Sequence, residues 1–302
     1  MTLSPEARDR VNAFWMLLPT FLLLVGFYLY PALYNLELSF TDITLLELRR
    51  GGEFVGVSNY AEFLRGSEFL SIAINTVFWL TAVTVVLRVF LGLLMALLLN
   101  SRFLANLRMT TVARLVLIVP WATPPVVAVI AWRWLLDPSH GAVNALLLAT
   151  GLVSEPVAFL ADLSTVWPAI VTIVVWNTTP LVAVSLLAAL QTIPEELNEA
   201  AAIDGATRFQ QFRFITLPYL MPTISVLSLM SVIWTFNNFV YVWLATGAGP
   251  GTFTNVLATE IYIRAFIDLR IGYSSAIGVV MAVFGALYFR FFALADMQEK
   301  VG

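Results

Sequence analysis

Six stretches of this sequence run for about 20 residues or more with scarcely a charge, and few structures can accommodate that pattern. They extend from about Val11 to Leu33, Ser71 to Leu99, Val112 to Leu135, Thr165 to Leu190, Pro218 to Ala245, and Tyr273 to Leu294. Each is long enough to cross a hydrocarbon core of roughly 30 Å as a helix. An open sheet would leave backbone groups unpaired in lipid, and the runs lack the alternation of a membrane barrel, so helices are expected. Composition agrees: 60% of residues are hydrophobic and 12% charged, with a mean hydropathy of +0.88. A water-facing globule carries roughly twice that charged fraction. The fold class expected is an all-α membrane protein of about six spans, built as one helical bundle over residues 1–302 with no separate domain boundary.

The first run is too long for the apolar core of a signal peptide. Its leader, Glu6-Ala7-Arg8-Asp9-Arg10, is mixed in charge, and an uncleaved helix is expected. With the N-terminus inside, the inner segments hold Arg8, Arg10, Arg102, Arg108, Arg114, Arg208, Arg213, Arg290 and Lys300. The outer ones hold Arg49, Arg50, Arg65, Arg133, Arg264 and Arg270, a bias of nine to six that places both termini in the cytoplasm. The net charge of −3 argues against nucleic acid as a partner. With no cysteine there is no disulfide, thiolate nucleophile or Cys-metal site.

The loop at about 191–217 falls on the inner side. Thr192 with Glu195 three residues on has the spacing of a capping box, Pro194 suits a first turn, and Gly205 is a natural stop. A short helix ending at Gly205 is expected, with more helix through Phe209, Phe212 and Ile215 before Leu217-Pro218 re-enters the membrane. Its surface combines small Ala200, Ala201, Ala202 and Ala206 with acidic Glu195, Glu196, Glu199 and Asp204. Physical chemistry leaves two readings open: a knob shaped for a groove on a partner, or a solvated connector.

The stretch Glu199-Ala200-Ala201-Ala202-Ile203-Asp204-Gly205-Ala206, followed by Ile215-Thr216-Leu217-Pro218, resembles the EAA loop of bacterial ABC importer permeases. The resemblance extends over nearly the whole chain to carbohydrate permeases like the larger membrane subunit of the maltose transporter. Phe54-Val55-Gly56-Val57-Ser58-Asn59-Tyr60 and Phe236-Asn237-Asn238-Phe239 are similar to that group. The resemblance implies a permease subunit of an ATP-driven importer in the bacterial inner membrane. Its partners would be a second, homologous permease, two cytoplasmic ATPase subunits, and an extracytoplasmic solute-binding protein. Glu199 and Asp204 would make polar contacts at the ATPase cleft, Ala200, Ala201 and Ala206 would allow close approach, and Gly205 would make the turn. No enzyme activity is expected of the chain itself. A phosphate loop of the G-x-x-x-x-G-K-[ST] type needs a lysine, the one lysine is Lys300, and no such motif surrounds it. ATP and Mg would belong to the partner ATPase, with no cofactor here.

The solute path is sought among polar residues inside the spans. Span four carries Trp176-Asn177-Thr178-Thr179-Pro180, and Pro180 is expected to loosen the preceding turn. Span five carries Ser231, Trp234, Thr235, Asn237, Asn238 and Tyr241, with Ser231, Thr235 and Asn238 spaced to share one helical face. A polyol needs hydroxyl and amide partners and an aromatic plate, which these supply. The same residues could instead bond helix to helix. In the maltose-type family the matching solute contacts are Trp176, Thr178, Ser231, Thr235, Asn238 and Val240. Asn177 and Thr178 replace an apolar residue and a glycine of maltose-specific permeases, and Leu181 replaces an aromatic, which argues against maltose itself.

Arg88 lies inside span two, where it could face the partner permease, counter an anionic solute, snorkel or pair with backbone carbonyls. Trp121-Ala122-Thr123-Pro124-Pro125 should kink span three. His140 stands in an outer turn, and a single histidine with no cysteine argues against a zinc site. Gly247-Ala248-Gly249-Pro250-Gly251 is read as an outer loop, and the 35–68 segment as too short for a core of its own. A secondary carrier or channel would need a coupling acid or ion-lined pore within the spans, and a membrane enzyme a base and nucleophile at that depth. Neither pattern is found. The solute class stays open among di- or oligosaccharides, unusual or acidic monosaccharides and glycerol phosphates.

Overall fold

Once an apolar run is in lipid, every backbone N–H and C=O must be satisfied within it, and the helix is the local way to do so. The computed structural model describes residues 5–47, 50–101 and 110–299 and shows this outcome. Arg49, Arg102, Arg108 and Lys300 of the charge argument lie outside the described residues. Among the described residues, five helices are long and apolar enough to cross a membrane: Asn12–Leu38, Phe69–Leu99, Val166–Leu190, Arg208–Phe236 and Ile271–Tyr288. A pair, Thr111–Ala122 and Pro125–Leu135, bent by 99°, brings the number to six when counted as one broken span.

The bend falls in the proline cluster of span three. A residue before proline is pushed out of the helical region, and Pro124, preceding Pro125, sits at φ −54°, ψ 138°. Span four behaves otherwise. Pro180 was expected to loosen it, yet Val166–Leu190 runs as an unbroken helix of 25 residues. Hydroxyls cover the carbonyls on either side: Thr178 and Thr179 donate to Val174 and Val175 at 2.6 Å, and Ser185 to Leu181 at 2.8 Å. Span five, expected to be continuous to Ala245, stops at Phe236. Asn237 takes φ −90°, ψ 10°, and a separate helix, Val240–Thr246, follows.

The chain divides into two compact units, Met1–Gly66 with Glu260–Val283, and Ser67–Thr259 with Phe284–Gly302. In the first, hydrogen bonds tie down the outer segment around buried Ile43 and Phe63. Leu45 N–H donates to Leu269 O at 2.8 Å and Gly272 N–H to Ile43 O at 2.9 Å. Asn59 Nδ2 donates to Ser39 O at 2.9 Å and Thr41 O at 2.8 Å. Arg270 forks onto Glu62 with two 2.7 Å bonds, and this contact holds the Glu62 carboxyl below the ordinary carboxylate range against the opposing effect of burial.

In the second unit, span four is the spine. Trp167, Ile170, Ile173 and Val174 on its first half pack with Leu80, Val129, Val242 and Val256. Val182, Leu186, Leu187 and Leu190 on its second half pack with Ala96, Leu99 and Leu220. Span two meets it closely at Gly92, where an added Cβ would stand 2.7 Å from Val182 Cγ1. Three short helices fall where only loops were expected: Ser58–Arg65, Ala142–Ala149 and Leu257–Tyr262.

Candidate functional site

The inner loop forms a helix from Glu195 to Ile203, with Glu195 and Glu196 in its first turn, where the helix dipole favours acids. The capping box expected at Thr192 and Glu195 does not cap it. The helix begins directly after Pro194, so Thr192 lies two residues outside the capping position, and its hydroxyl donates to Ala189 O at 2.8 Å. The capping box stands instead at the next turn: Thr207 N–H donates to Gln210 Oε1 at 2.7 Å, and Gln210 N–H to Thr207 Oγ1 at 3.3 Å.

The helix ends as a Schellman motif. Gly205 N–H donates to Ala202 O at 3.1 Å and Ala206 N–H to Ala201 O at 2.8 Å, with Gly205 at φ +84°. Glu199, Ala200, Asp204 and Gly205 are exposed, Ala201 and Ala206 half-buried. Leu197 and Ile203 are exposed too, Ile203 to 86%, and no residue of this helix is fully buried.

The eight candidate path residues divide by environment. Trp176 is partly exposed, edge-on to Trp132 with centroids 5.8 Å apart. Thr178, Asn238 and Val240 are half-buried. Asn177, Ser231, Thr235 and Tyr241 are buried. Ser231 and Thr235 lie one turn apart on the Leu217–Phe236 helix. Asn238 lies beyond that helix's end and does not share its face. It starts the next one, its Oδ1 accepting from Tyr241 N–H at 3.2 Å.

Asn177 uses its whole amide. Its Nδ2 donates to Pro120 O and to Thr123 O, the latter at 3.1 Å, and its Oδ1 accepts from the Tyr241 hydroxyl. One side chain of span four thereby joins the bend of span three to the helix that follows span five. Beside it, Arg88 Nη2 donates to Thr235 Oγ1 at 3.1 Å. Arg88 is buried, and its Nε has no partner. The sequence offered a signal for this placement: Thr84, Arg88, Gly92 and Ala96 recur every fourth residue, and all four are buried.

At the opposite end from the inner loop, a cleft of about 800 Å³ is lined by Arg133, Trp134, Asp137, Phe159 and Trp243 among others. Arg133 Nη1 donates to Leu244 O at 3.2 Å there. His140 is exposed, and its backbone N–H and that of Ser139 donate to Asp137 Oδ1 at 2.8 and 2.9 Å, which keeps that carboxyl below its ordinary range. Among the described residues, no group of three His, Asp or Glu side chains is placed to hold a metal ion.

The profile of a family described as "binding-protein-dependent transport system inner membrane component" matches residues 88–298. A probable ABC transporter permease protein of Brucella suis biovar 1 is 30% identical over 287 residues, which cover 94% of this chain and 97% of that one. The sulfoquinovosyl glycerol transport system permease protein SmoG of Agrobacterium fabrum is 36% identical over 275 residues, 90% of this chain and 86% of its own. Among solved structures, a bacterial ABC transporter involved in the import of the acidic polysaccharide alginate contains a chain that superposes with a TM-score of 0.78. That match has 22% identity and covers 97% of both chains, a likeness of fold.

Proposed function

Because this chain belongs to the family of binding-protein-dependent transport system inner membrane components, we propose that it is a permease subunit of an ATP-driven importer that carries a sugar or sugar-like solute. A second permease would complete the path, two cytoplasmic ATPase subunits would drive it, and an extracytoplasmic binding protein would deliver the solute. Both termini, being on one side of an even number of spans, are assigned to the cytoplasm. The sugar class is supported by the likeness to SmoG, named for sulfoquinovosyl glycerol transport.

The observation that carries the reading is the Glu195–Ile203 helix. It lies between spans four and five, has no fully buried residue, and presents Leu197 and Ile203 beside Glu199 and Asp204. Exposed apolar residues ringed by acids on a rigidly terminated helix suit a cleft on another protein. The Schellman turn at Gly205 sets the angle at which the chain leaves that contact, so movement of the helix passes directly into span five. Trp176, Thr178, Ser231, Thr235, Asn238, Val240 and Tyr241 are proposed for the solute side, while Asn177, its amide engaged by Pro120, Thr123 and Tyr241, ties the helices together.

The test is solute-stimulated ATP hydrolysis by the complex in nanodiscs, assembled with the neighbouring permease, the ATPase and the binding protein. Glu199→Lys should reduce ATPase association or stimulation tenfold or more, because it reverses charge at the contact. Gly205→Val should lower stimulation with the subunits still assembled, through a turn strained by roughly 1–2 kcal/mol. Solute flux through the chain alone, with no ATPase co-purifying, would overturn the reading.

A further inference from the structure

Arg88 is the charge that the rest of the structure leaves unanswered. It sits within span two at 3% exposure. One of its guanidinium nitrogens bonds the Thr235 hydroxyl, and Nε has no partner at all. The ionisable side chain near enough to interact with it is Tyr241, a phenol and so uncharged at neutral pH. No carboxylate pairs with it among the described residues. The guanidinium does stand by the last turn of the Leu217–Phe236 helix, whose carbonyl end offers a partial negative charge. That is a fraction of a countercharge, and it leaves Nε unfilled. A buried cation is retained in proteins when something pairs with it.

The surroundings say what would fit. Thr235, bonded to the guanidinium, and Ser231 lie one turn apart and both buried on one helix, and Tyr241, whose hydroxyl bonds Asn177, is near enough to interact with Arg88. A guanidinium fork with hydroxyl neighbours matches the planar or tetrahedral oxygens of a carboxylate, sulfonate or phosphate. We propose that Arg88, with Thr235 and Ser231, is an anion subsite on the solute path, so that the transported sugar carries a negative group. This rests on the importer reading and names the substrate class within it. The site is closed over here, so the anion enters when the spans part during transport.

The native chain contains no cysteine, so Thr235→Cys makes the single thiol on it, beside an intact Arg88. The complex in nanodiscs is exposed to an anionic reagent, 2-sulfonatoethyl methanethiosulfonate, and to a cationic one, 2-(trimethylammonio)ethyl methanethiosulfonate. Labelling is followed on this chain without nucleotide, with ATP, and after vanadate trapping. Relative to a free thiol in solution, the anion should react roughly tenfold or more faster than the cation in at least one state, as expected for one unscreened charge a few ångströms away. Arg88→Gln should bring that ratio to about one, and Arg88→Lys should keep most of it. Ser231→Cys, one turn away, gives the same reading should Thr235→Cys fail to fold.

Absence of labelling in every state, or a ratio indifferent to Arg88→Gln, would overturn the subsite. If the ATPases assemble and hydrolyse ATP in that experiment, the subsite alone falls. If they do not assemble, the importer reading falls with it.

Discussion

Gly92 and Gly205 are glycines for opposite reasons, and substitution separates them. A Cβ on Gly92 would lie 2.7 Å from Val182 Cγ1 and 3.3 Å from Ala183 N, so the constraint is a neighbour. A Cβ on Gly205 would meet nothing within 4 Å, so the constraint is its φ of +84°. Gly92→Val should therefore cost about 1–3 kcal/mol by overpacking span two on span four. Val182→Ala should return part of that loss in the double variant, because the clash is pairwise. Thermal unfolding of the four proteins in nanodiscs checks it, and additive losses would mean that the two positions do not press on each other.

At the scale of elements, bends and ends follow different rules in different places. Span three bends where the sequence places Pro124 before Pro125, a local steric cause, and so was readable in advance. The end of span five was not. Phe236-Asn237-Asn238-Phe239 contains neither Gly nor Pro, and the chain turns there as Asn238 Oδ1 starts the next helix at Tyr241 N–H and Arg88 holds Thr235. The first contact is local, three residues apart, but the second joins residues 147 apart in sequence, which spacing alone cannot reveal. The continuity of span four past Pro180 was not readable either: the missing N–H of Pro180 leaves the Trp176 carbonyl without its usual partner, and the helix runs on across it.

The outer segment of the first unit depends on an ion pair that titrates. With its native pKa below that of the unfolded chain, Glu62 contributes stability in full above the ordinary carboxylate range. The contribution is lost as pH falls through the lowered native value. Both partners are nearly half exposed, Arg270 at 42% and Glu62 at 49%, so the effect should stay below about 1 kcal/mol and shrink with salt. Glu62→Gln should speed hydrogen exchange at the Leu45 and Gly272 amides severalfold at pH 7, and the native protein should approach the variant in acid. Equal exchange at pH 7 would mean that the backbone bonds to Leu269 and Ile43 hold the segment by themselves.

For the whole molecule, the six spans were legible because their length is set by the bilayer rather than by any partner within the chain. The Glu195–Ile203 helix and its stop at Gly205 were legible because a terminating glycine is a local signature. What the candidate path residues touch was not legible. Asn177 looked like a solute ligand by composition, and the structure shows its amide fully engaged by Pro120, Thr123 and Tyr241. Asn177→Leu should strip partners from two carbonyls and a phenol, costing about 1–3 kcal/mol in thermal unfolding. Asn177→Ser should lose nearly as much, its hydroxyl being too short to reach both spans. Full stability of Asn177→Leu would show that these groups find other partners.

That amide also changes what the corner in span three can do during a transport stroke. A 99° bend at a pair of prolines invites description as a hinge. Asn177 braces only one arm of it, holding Pro120 and Thr123, both ahead of Pro124, to span four and to Tyr241 of the short helix beyond. Force arriving at span four from the cytoplasm would then carry that arm and the short helix together, leaving the corner at Pro124 free of this brace.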